Sequence, residues 1–301
     1  MYLQNREAIQ IDSSGEEIRP EGLELFNVVA NDMNLRQPPF QRNAISHHWH
    51  REMELFYLIE GSVSVEAGGQ EIHLESGEGC FINSGVIHAF SNDSQAPYVF
   101  RSIVFGADLV GGTPGSQFDL RYIRPLLETG PGILPFTKGI GAMSFFRWFN
   151  EVFQACRDEP DGYDIEVRYG LSHIMRMVVR QTGAGGVRPI SKYKEDRVKR
   201  MLRWIDAHLS DKVTVEDIAA AANIGKRECF RLFQQYLRNS PKSCVNQRRI
   251  IAAARRIAAT DDPIATIALD CGFATPNYFS KCFQEQMGLP PREWRNTTRL
   301  K

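Results

Sequence analysis

The sequence predicts a multidomain α+β protein, in which a β-sandwich or barrel with a helical pair precedes an all-α domain. Three observations predict this order. Short apolar runs separated by turn residues fill residues 23 to 105, as in all-β domains. Apolar residues recur at three- to four-residue spacing from 141 to 183, as on amphipathic helices. Residues 1–188 hold 15 Lys and Arg against 24 Asp and Glu, whereas residues 189–301 hold 21 against 12.

The composition of the 301 residues, 43% hydrophobic and 24% charged, is that of a globular protein. It excludes a wholly disordered chain and a collagen-like repeat. No uncharged apolar stretch approaches the roughly 18 residues that span a bilayer. Residues 1–19 lack the basic-then-apolar order of a secretory signal, and the six cysteines form no CxxC pair. We therefore expect a cytoplasmic protein with reduced thiols and no membrane partner.

The strands of the β half are predicted from the turns between them. Gly68-Gly69 separates two alternating runs, which is the signature of a two-residue hairpin. Gly61 and the segment Gly77-Glu78-Gly79 mark further turns. The predicted strands are 54–59, 63–67, 71–74, 80–82 and 98–105. So many short strands with closely spaced turns favour a sandwich or a barrel.

Two helices are predicted after the strands, in residues 141–183, and Glu159-Pro160-Asp161-Gly162 separates them because proline and glycine interrupt a helix. Aromatic stripes of the kind they carry usually form a core or a dimer surface. Three glycines and a proline between Thr182 and Pro189 then predict a linker, which we place at 184–193. The basic domain accordingly begins at residue 194.

The basic half contains a helix-turn-helix pattern. Thr214 suits a helix N-cap, and Asp217 at the third position completes an approximate capping box. Small residues follow, Asn223-Ile224-Gly225 interrupts the helix, and a new helix starts at Lys226. Two short helices joined by such a turn are typical of the helix-turn-helix motif.

The same pattern recurs further along the chain. Asp262-Pro263 is predicted to cap and start its first helix, and residues 275–283 form its second. A long helix from Pro241 to about Thr260 joins the two copies and carries Arg248, Arg249, Arg255 and Arg256. Two copies in tandem within the basic half favour DNA binding over a chance pair of helices.

The second copy carries a longer motif. It runs Ile267-Ala268-x-x-Cys271-Gly272-Phe273-x-x-x-Asn277-Tyr278-Phe279-Ser280-Lys281-x-Phe283, followed by Gly288, Pro291 and Trp294-Arg295. This motif resembles the signature of the AraC/XylS transcription regulators, and the resemblance covers residues 194–295. The residues that depart from the family pattern are Gly225, Asn239 and Trp294. The resemblance implies two recognition helices that enter successive major-groove segments of double-stranded DNA.

The resemblance also implies which side chains meet the DNA. Those that project from the two recognition helices are Lys226, Arg227, Arg231, Thr275, Asn277, Ser280 and Lys281. Arg can bind guanine through two hydrogen bonds, and Asn can bind adenine in the same way. Lys226, Lys281 and the four arginines of the joining helix are expected to hold phosphates, which position the protein without reading sequence.

The acidic half contains the segment His48-Trp49-His50-Arg51-Glu52-Met53-Glu54. Alternate residues of a strand share one face, so we expect His48, His50 and Glu54 to converge on one strand face. Imidazole nitrogens and a carboxylate are ligands that divalent transition metals accept. The segment is therefore a candidate metal site.

The spacing around this segment resembles the two motifs of the cupins. In the first motif, three residues separate the His-x-His segment from Glu54, and six residues separate Glu54 from Gly61. The second motif runs from Gly77 through Gly85 and His88 to Asn92. Asn83 stands where the second motif usually has proline. The resemblance supplies His88 as a fourth ligand beside His48, His50 and Glu54. Such a set suits one divalent ion, namely Zn, Ni, Fe or Mn.

These patterns predict a sequence-specific transcription regulator and not an enzyme. Residues 1–183 would form a cupin-like effector-binding and dimerisation domain, and residues 194–301 the DNA-binding domain. The expected effector is a small molecule such as a sugar in the barrel, and the expected partners are DNA, a second copy and RNA polymerase. The alternatives are a metallocupin dioxygenase or isomerase with an appended DNA-binding domain, a metal sensor, and histidines that serve only to hold an organic ligand.

Overall fold

The structure, a computed structural model, describes residues 3–4, 16–17, 26–34, 45–92, 98–183 and 192–299. The chain divides into two compact units, with the boundary between Glu195 and Asp196. The first unit contains two β-sheets and a helical pair, which is a cupin-like arrangement, and the second is a helical region. Of the predicted linker, residues 184–191 lie outside the described residues, whereas its last two residues belong to a helix.

The described part of the first unit contains the strands β1 (Leu3–Gln4), β2 (Val28–Asn34), β3 (Ile45–His48), β4 (Met53–Glu60), β5 (Ser62–Ala67), β6 (Gln70–Glu75), β7 (Gly79–Ile82), β8 (His88–Ser91), β9 (Val99–Phe105) and β10 (Ile133–Phe136). They form a six-stranded sheet in the order β1-β2-β9-β4-β7-β10 and a four-stranded sheet in the order β3-β8-β5-β6. The five strands predicted from the sequence are β4, β5, β6, β7 and β9, each within one residue at either end.

The hairpin between β5 and β6 confirms the prediction from Gly68-Gly69. Ala67 lies opposite Gln70, so the loop has two residues. Gly68 and Gly69 have φ of 59° and 77°, a region that glycine enters without the steric cost other residues meet. The turn therefore fixes the register of this hairpin.

The six-stranded sheet is buried on both faces. Phe56 of β4 and Phe100 of β9 face the four-stranded sheet, where Phe56 stacks on Phe90 and Phe100 with ring centroids 4.7 and 4.8 Å apart. Leu55 and Ile103, their neighbours along the strands, belong to a second apolar cluster shared with the helices. The inner cluster is the core of the sandwich, and the outer one attaches the helical pair.

The helices of the first unit follow β9. They are α1 (Ala107–Gly111), a π-helical turn (Asp119–Ile123), α2 (Arg124–Thr129), α3 (Ile140–Asp158) and α4 (Tyr163–Gly183). The last two confirm the predicted helical pair. They pack closely, since a Cβ at Gly170 would collide with Val152. The outer surface of α4 leaves Ile165 and Tyr169 exposed, 72% and 58% respectively.

The described part of the second unit consists of α5 (Lys192–Ala207), α6 (Val215–Ala221), α7 (Lys226–Leu237), α8 (Pro241–Ala259), α9 (Ile264–Asp270), α10 (Pro276–Met287) and α11 (Pro291–Arg299). The sequence analysis anticipated α6 to α10 but gave no element for α5. None of the described helices is long and apolar enough to cross a membrane.

Helix caps decide where the short helices begin. Thr214 and Asp217 form the predicted capping box of α6, because each side chain bonds the other residue's backbone N–H. The prediction for α9 was wrong: Pro263 occupies its N-cap, and the helix begins at Ile264. Asp262 does not cap the helix because its carboxylate accepts two hydrogen bonds from Arg256, at 2.7 and 2.9 Å.

Candidate metal centre and DNA-recognition helices

Three histidines converge inside the sandwich. His48, His50 and His88 are all buried, and each offers a ligand atom within 4.8 Å of the other two. The ring centroids of His48 and His88 are 4.2 Å apart, and those of His50 and His88 are 5.1 Å apart. The cluster is thus compact enough for one metal ion.

Each imidazole is held by a backbone carbonyl. The Nδ1 atoms of His48, His50 and His88 lie 2.8, 3.1 and 2.8 Å from the carbonyl oxygens of Ser46, Glu52 and Val86. A carbonyl oxygen only accepts, so each Nδ1 carries the proton and each Nε2 presents a lone pair. This is the arrangement that orients histidines toward a metal.

Glu54 completes the set. Its Oε2 lies 3.3 Å from His50 Nε2 and 3.2 Å from His88 Nε2, the latter out of alignment for a hydrogen bond. Ligand pairs in a tetrahedral zinc site with bonds of about 2.1 Å are about 3.4 Å apart, which these distances match. When the imidazoles are neutral and protonated at Nδ1, the Nε2 lone pairs repel the carboxylate oxygen at such distances, and either a proton on Nε2 or a cation among these atoms relieves the repulsion. The donor set therefore fits a divalent metal.

Burial and mutual contacts shift the pKa values in this cluster. Burial lowers the pKa of His48 well below its usual value, and His88 and His50 add to that effect. Burial by itself would raise the pKa of Glu54, but the contacts with His50 and His88 outweigh it and hold the pKa well below its usual range. A neutral imidazole and an ionised carboxylate are the protonation states in which these groups bind metal.

The expectation that His48, His50 and Glu54 converge on one strand face is wrong. His48 ends β3 and lies opposite His88 of β8 in the four-stranded sheet. The chain bends at Arg51-Glu52 and enters the six-stranded sheet, where Glu54 belongs to β4. The ligands converge because the inner faces of the two sheets point at each other. Neither His47 nor His73 joins them, since each pairs with a glutamate at 3.1 Å.

Beside the cluster lies a cavity of about 10 Å³, lined by Glu17, Asn31, Ser102, His48 and Glu54 together with apolar side chains. A cavity of this size holds about one water molecule. The stacked aromatic rings of Phe56, Phe90 and Phe100 fill the neighbouring interior. The expected effector position in the barrel is thus a small polar space beside the histidines.

The exposed face of α7 carries the predicted DNA-contacting side chains Lys226, Arg227 and Arg231. Lys226 pairs with Glu216, and Arg231 binds Glu228 through two hydrogen bonds of 2.6 and 2.7 Å. Phe230 stands among them, 47% exposed. The sequence analysis missed Phe230, although an aromatic residue at a polar position of an amphipathic helix is a readable signal.

The exposed face of α10 carries Asn277 and Lys281. Thr275 is the N-cap of the helix, and its Oγ1 accepts a hydrogen bond from the backbone N–H of Tyr278. Ser280 is half-buried and donates its hydroxyl to the carbonyl of Pro276, 2.9 Å away. Thr275 and Ser280 therefore have structural partners within the helix, whereas Asn277 projects outward.

Three of the four α8 arginines that were expected to hold phosphates have partners within the second unit. Arg248 pairs with the buried carboxylate of Asp206. Arg249 donates to the carbonyls of Leu209 and Asp211 at 2.8 and 2.6 Å. Arg256 pairs with Asp262 and Asp270, each at 2.7 Å. These three hold the helices of the unit together, and Arg255 is the exposed one.

Two family descriptions match the chain. Residues 36–150 match an AraC-like ligand binding domain, and residues 218–297 match a helix-turn-helix domain. The first of these spans the histidine cluster and the second spans α7 and α10. The two matches therefore cover both sites described above.

Two relatives are similar to this chain over most of their length. The uncharacterized HTH-type transcriptional regulator YdeC of Bacillus subtilis is 23% identical over 252 residues, which are 82% of this chain and 85% of YdeC. The HTH-type transcriptional activator RhaS of Klebsiella pneumoniae is 20% identical over 268 residues, 86% of this chain and 90% of RhaS. The solved C-terminal domain of AraT from Geobacillus stearothermophilus is 31% identical, covering 34% of this chain and 84% of that domain with a TM-score of 0.32.

Proposed function

We propose that this chain, an AraC-type DNA-binding transcription regulator with a ligand-binding domain, holds one divalent metal ion through His48, His50, Glu54 and His88. The observation that supports the metal is the set of facing lone pairs: three imidazoles whose Nδ1 atoms are occupied, and a carboxylate 3.2 to 3.3 Å from two of their Nε2 atoms. A bound ion would supply a Lewis-acid position inside the sandwich. Zn, Ni, Fe and Mn suit this donor set.

Metal content tests this proposal directly. The full chain purified without tag or chelator should contain about one equivalent of metal, as a single four-ligand site requires. His88→Ala should lose it, because only three of the four proposed ligands remain. His73→Ala is the matched control, since His73 is an exposed histidine of the same unit. A wild-type chain that takes up none of the four metals contradicts the proposal.

The role of this site is sensing rather than catalysis. The relatives matched over most of their length are named transcriptional regulators, and in the described residues the four ligands and the small cavity form a single polar cluster beside a filled apolar interior. The effector is a small molecule that reaches this cluster. A metal that itself regulates DNA binding, with no organic effector, is the second candidate, and the buried ligand set favours it equally. DNA binding measured with and without metal distinguishes the two.

The DNA interface is the pair of exposed faces on α7 and α10. Arg227 and Arg231 read guanine edges, and Asn277 reads adenine. Lys226 and Lys281 hold phosphates, and Thr275 and Ser280 contribute at the N-terminal end of α10. Phe230 contacts a thymine methyl group, because an exposed aromatic ring among cations is suited to that apolar contact. Binding should fall steeply with rising salt, since each phosphate contact releases counterions.

A second copy of the chain covers the exposed apolar pair Ile165 and Tyr169 of α4, giving a homodimer. Tyr169→Glu should shift the sedimentation of the full chain to that of a monomer. The dimer acts in the cytoplasm, on DNA, with RNA polymerase as its further partner. A wild-type chain that sediments as a monomer at micromolar concentration contradicts this assembly.

A further inference from the structure

The cavity beside the histidines has two proposed metal ligands in its wall. His48 and Glu54 line it, and the remaining polar lining comes from Glu17, Asn31 and Ser102. His50 and His88 do not line it, so the cavity opens onto one side of the ligand set. At about 10 Å³ it admits one water-sized group. Whatever fills it lies against the metal position.

Asn31 has an unsatisfied acceptor at this cavity. It lies opposite Ser102 in the β2–β9 ladder, and its Nδ2 donates to Ser102 Oγ over 3.0 Å. Asn31 is only 7% exposed, and its Oδ1 has no hydrogen-bond partner among the described residues. A buried carbonyl oxygen without a donor is unfavourable, so the group in the cavity must supply one.

One acceptor and a metal position together define the chemistry of that group. The buried Asn31 Oδ1 accepts a hydrogen bond. A metal ion held by His48 and Glu54 would accept a lone pair. Water, a hydroxyl group and an amine can donate a proton and a lone pair at once. A carboxylate or a phosphate offers only lone pairs, and its oxygen would face the Asn31 carbonyl oxygen without a proton between them.

We infer that this cavity is the effector position of the proposed metal site, and that it selects neutral hydroxyl- or amine-bearing ligands over carboxylates and phosphates. Water fills the position when no effector is bound. The effector replaces this water with its own hydroxyl or amino group, which binds the metal and donates to Asn31 Oδ1. The inference rests on the proposed metal site and adds the chemical class of its ligand.

Cobalt substitution of the full chain tests the selection, because the visible bands of Co²⁺ respond to its ligands. Methanol and formate are the two probes, since each is a one-carbon molecule that offers an oxygen atom to the cavity. Methanol should change the bands of the cobalt protein saturably, and formate at the same concentration should not. Formate is ordinarily the stronger ligand of divalent metals in water, so a preference for methanol would be caused by the side chains that line the cavity.

Asn31→Leu removes the acceptor at nearly constant size. It should shift the preference toward formate by about two- to tenfold, which corresponds to the loss of one hydrogen bond between neutral groups. Met33→Leu is the matched control, because Met33 lines the same cavity from the same strand without a polar group. It should leave the preference of the wild type unchanged.

The possible outcomes distinguish failure of this inference from failure of the proposed metal site. Uptake of cobalt with formate bound as well as methanol, or with neither bound, overturns the donor selection and leaves the metal site standing. Failure to take up cobalt overturns both. The wild-type comparison decides the inference by itself, so a poorly folded Asn31→Leu protein does not rescue it.

Discussion

His48, His50 and His88 each bond a backbone carbonyl, whereas Lys226, Arg231 and Lys281 each face a neighbouring side-chain carboxylate. The backbone bonds fix three buried rings in one orientation. The carboxylates instead neutralise exposed cations at the ends of long side chains. A site for one small ion gains from fixed ligands, while a surface that adapts to DNA exchanges its internal ion pairs for phosphates and bases.

The contrast also predicts how the two regions respond to mutation. Loss of one buried ligand leaves lone pairs and a carboxylate facing one another away from bulk solvent. Loss of one exposed cation leaves a hydrated surface. We therefore expect large, local effects at the histidines and smaller, graded effects on α7 and α10.

The largest expected effect is the coupling of metal to the stability of the first unit. At a free metal concentration a hundredfold above Kd, the free energy of unfolding should rise by about 2.7 kcal/mol, because only the folded state assembles the ligands. Urea titration followed by tryptophan fluorescence measures it. His88→Ala should abolish the increase, and His73→Ala should retain it. An equal increase in both variants would place the metal elsewhere.

The next effect concerns base reading on α7. Arg227→Ala and Arg231→Ala should each reduce discrimination at one base pair by about 1–3 kcal/mol, the value of a bidentate guanine contact. Selection from a random duplex library supplies the preferred sequence, and fluorescence anisotropy on single-base variants gives the discrimination. A uniform loss on every duplex would reassign both arginines to phosphates.

Thr275 combines a structural and a proposed DNA-binding role, because it is the N-cap of α10 on the side proposed to face DNA. Thr275→Ala should lower the free energy of unfolding by about 1 kcal/mol, through the lost bond to the N–H of Tyr278. Thr275→Ser keeps the capping hydroxyl and should keep the stability. If Thr275→Ser nevertheless weakens DNA binding, the methyl group of Thr275 touches the duplex. If it does not, the residue acts as a cap alone.

Phe230→Ala should relax the preference for thymine at one position while leaving the salt dependence of binding unchanged, because the ring carries no charge. Arg255→Ala, on the exposed side of α8, is a useful contrast. If Arg255 holds a phosphate, its loss should weaken binding to all sequences and lower the salt slope by about 1. Anisotropy at several salt concentrations separates the two behaviours.

The smallest expected effect comes from removing the carboxylate that pairs with Arg231. Glu228→Gln removes the carboxylate that binds the guanidinium, so DNA no longer has to compete for it. Exposed ion pairs contribute at most about 1 kcal/mol, and affinity should rise no more than about fivefold. Glu285→Gln, beside Lys281 at 3.9 Å, should produce a still smaller rise. A fall in affinity would mean that Glu228 itself contacts the DNA.

Sequence patterns predicted the strands best where turn chemistry is explicit. The Gly68-Gly69 hairpin was predicted at the correct residues because its positive φ angles require glycine. The β4 strand was found, but its burial on both faces was not, since the helices that cover its outer face come about ninety residues later in the chain. Helix α5 was missed because no cap or turn signal was read in that segment.

The histidine cluster, like the strands, was predicted only in part from the sequence. The spacing of His48, His50, Glu54 and His88 identified the set, yet it implied one strand face where the structure uses two sheets. The Asn31–Ser102 pair could not be predicted, because 71 residues separate the two positions and only the β2–β9 register joins them. The arginines of α8 were assigned to phosphates because sequence gives their charge but not their partners.

The sequence by itself determined five of the strands, the helical pair, the basic and acidic halves, the four candidate ligands and the tandem helix-turn-helix pattern, because turn geometry, helix periodicity, residue spacing and charge are local properties. The tertiary structure decided which polar atoms of the described residues are left without a partner, which arginines are occupied, and on which side of the histidines the small cavity lies. Those depend on contacts between residues far apart in the chain, and long-range contacts fix burial and hydrogen bonding only when two sheets or several helices close on one another.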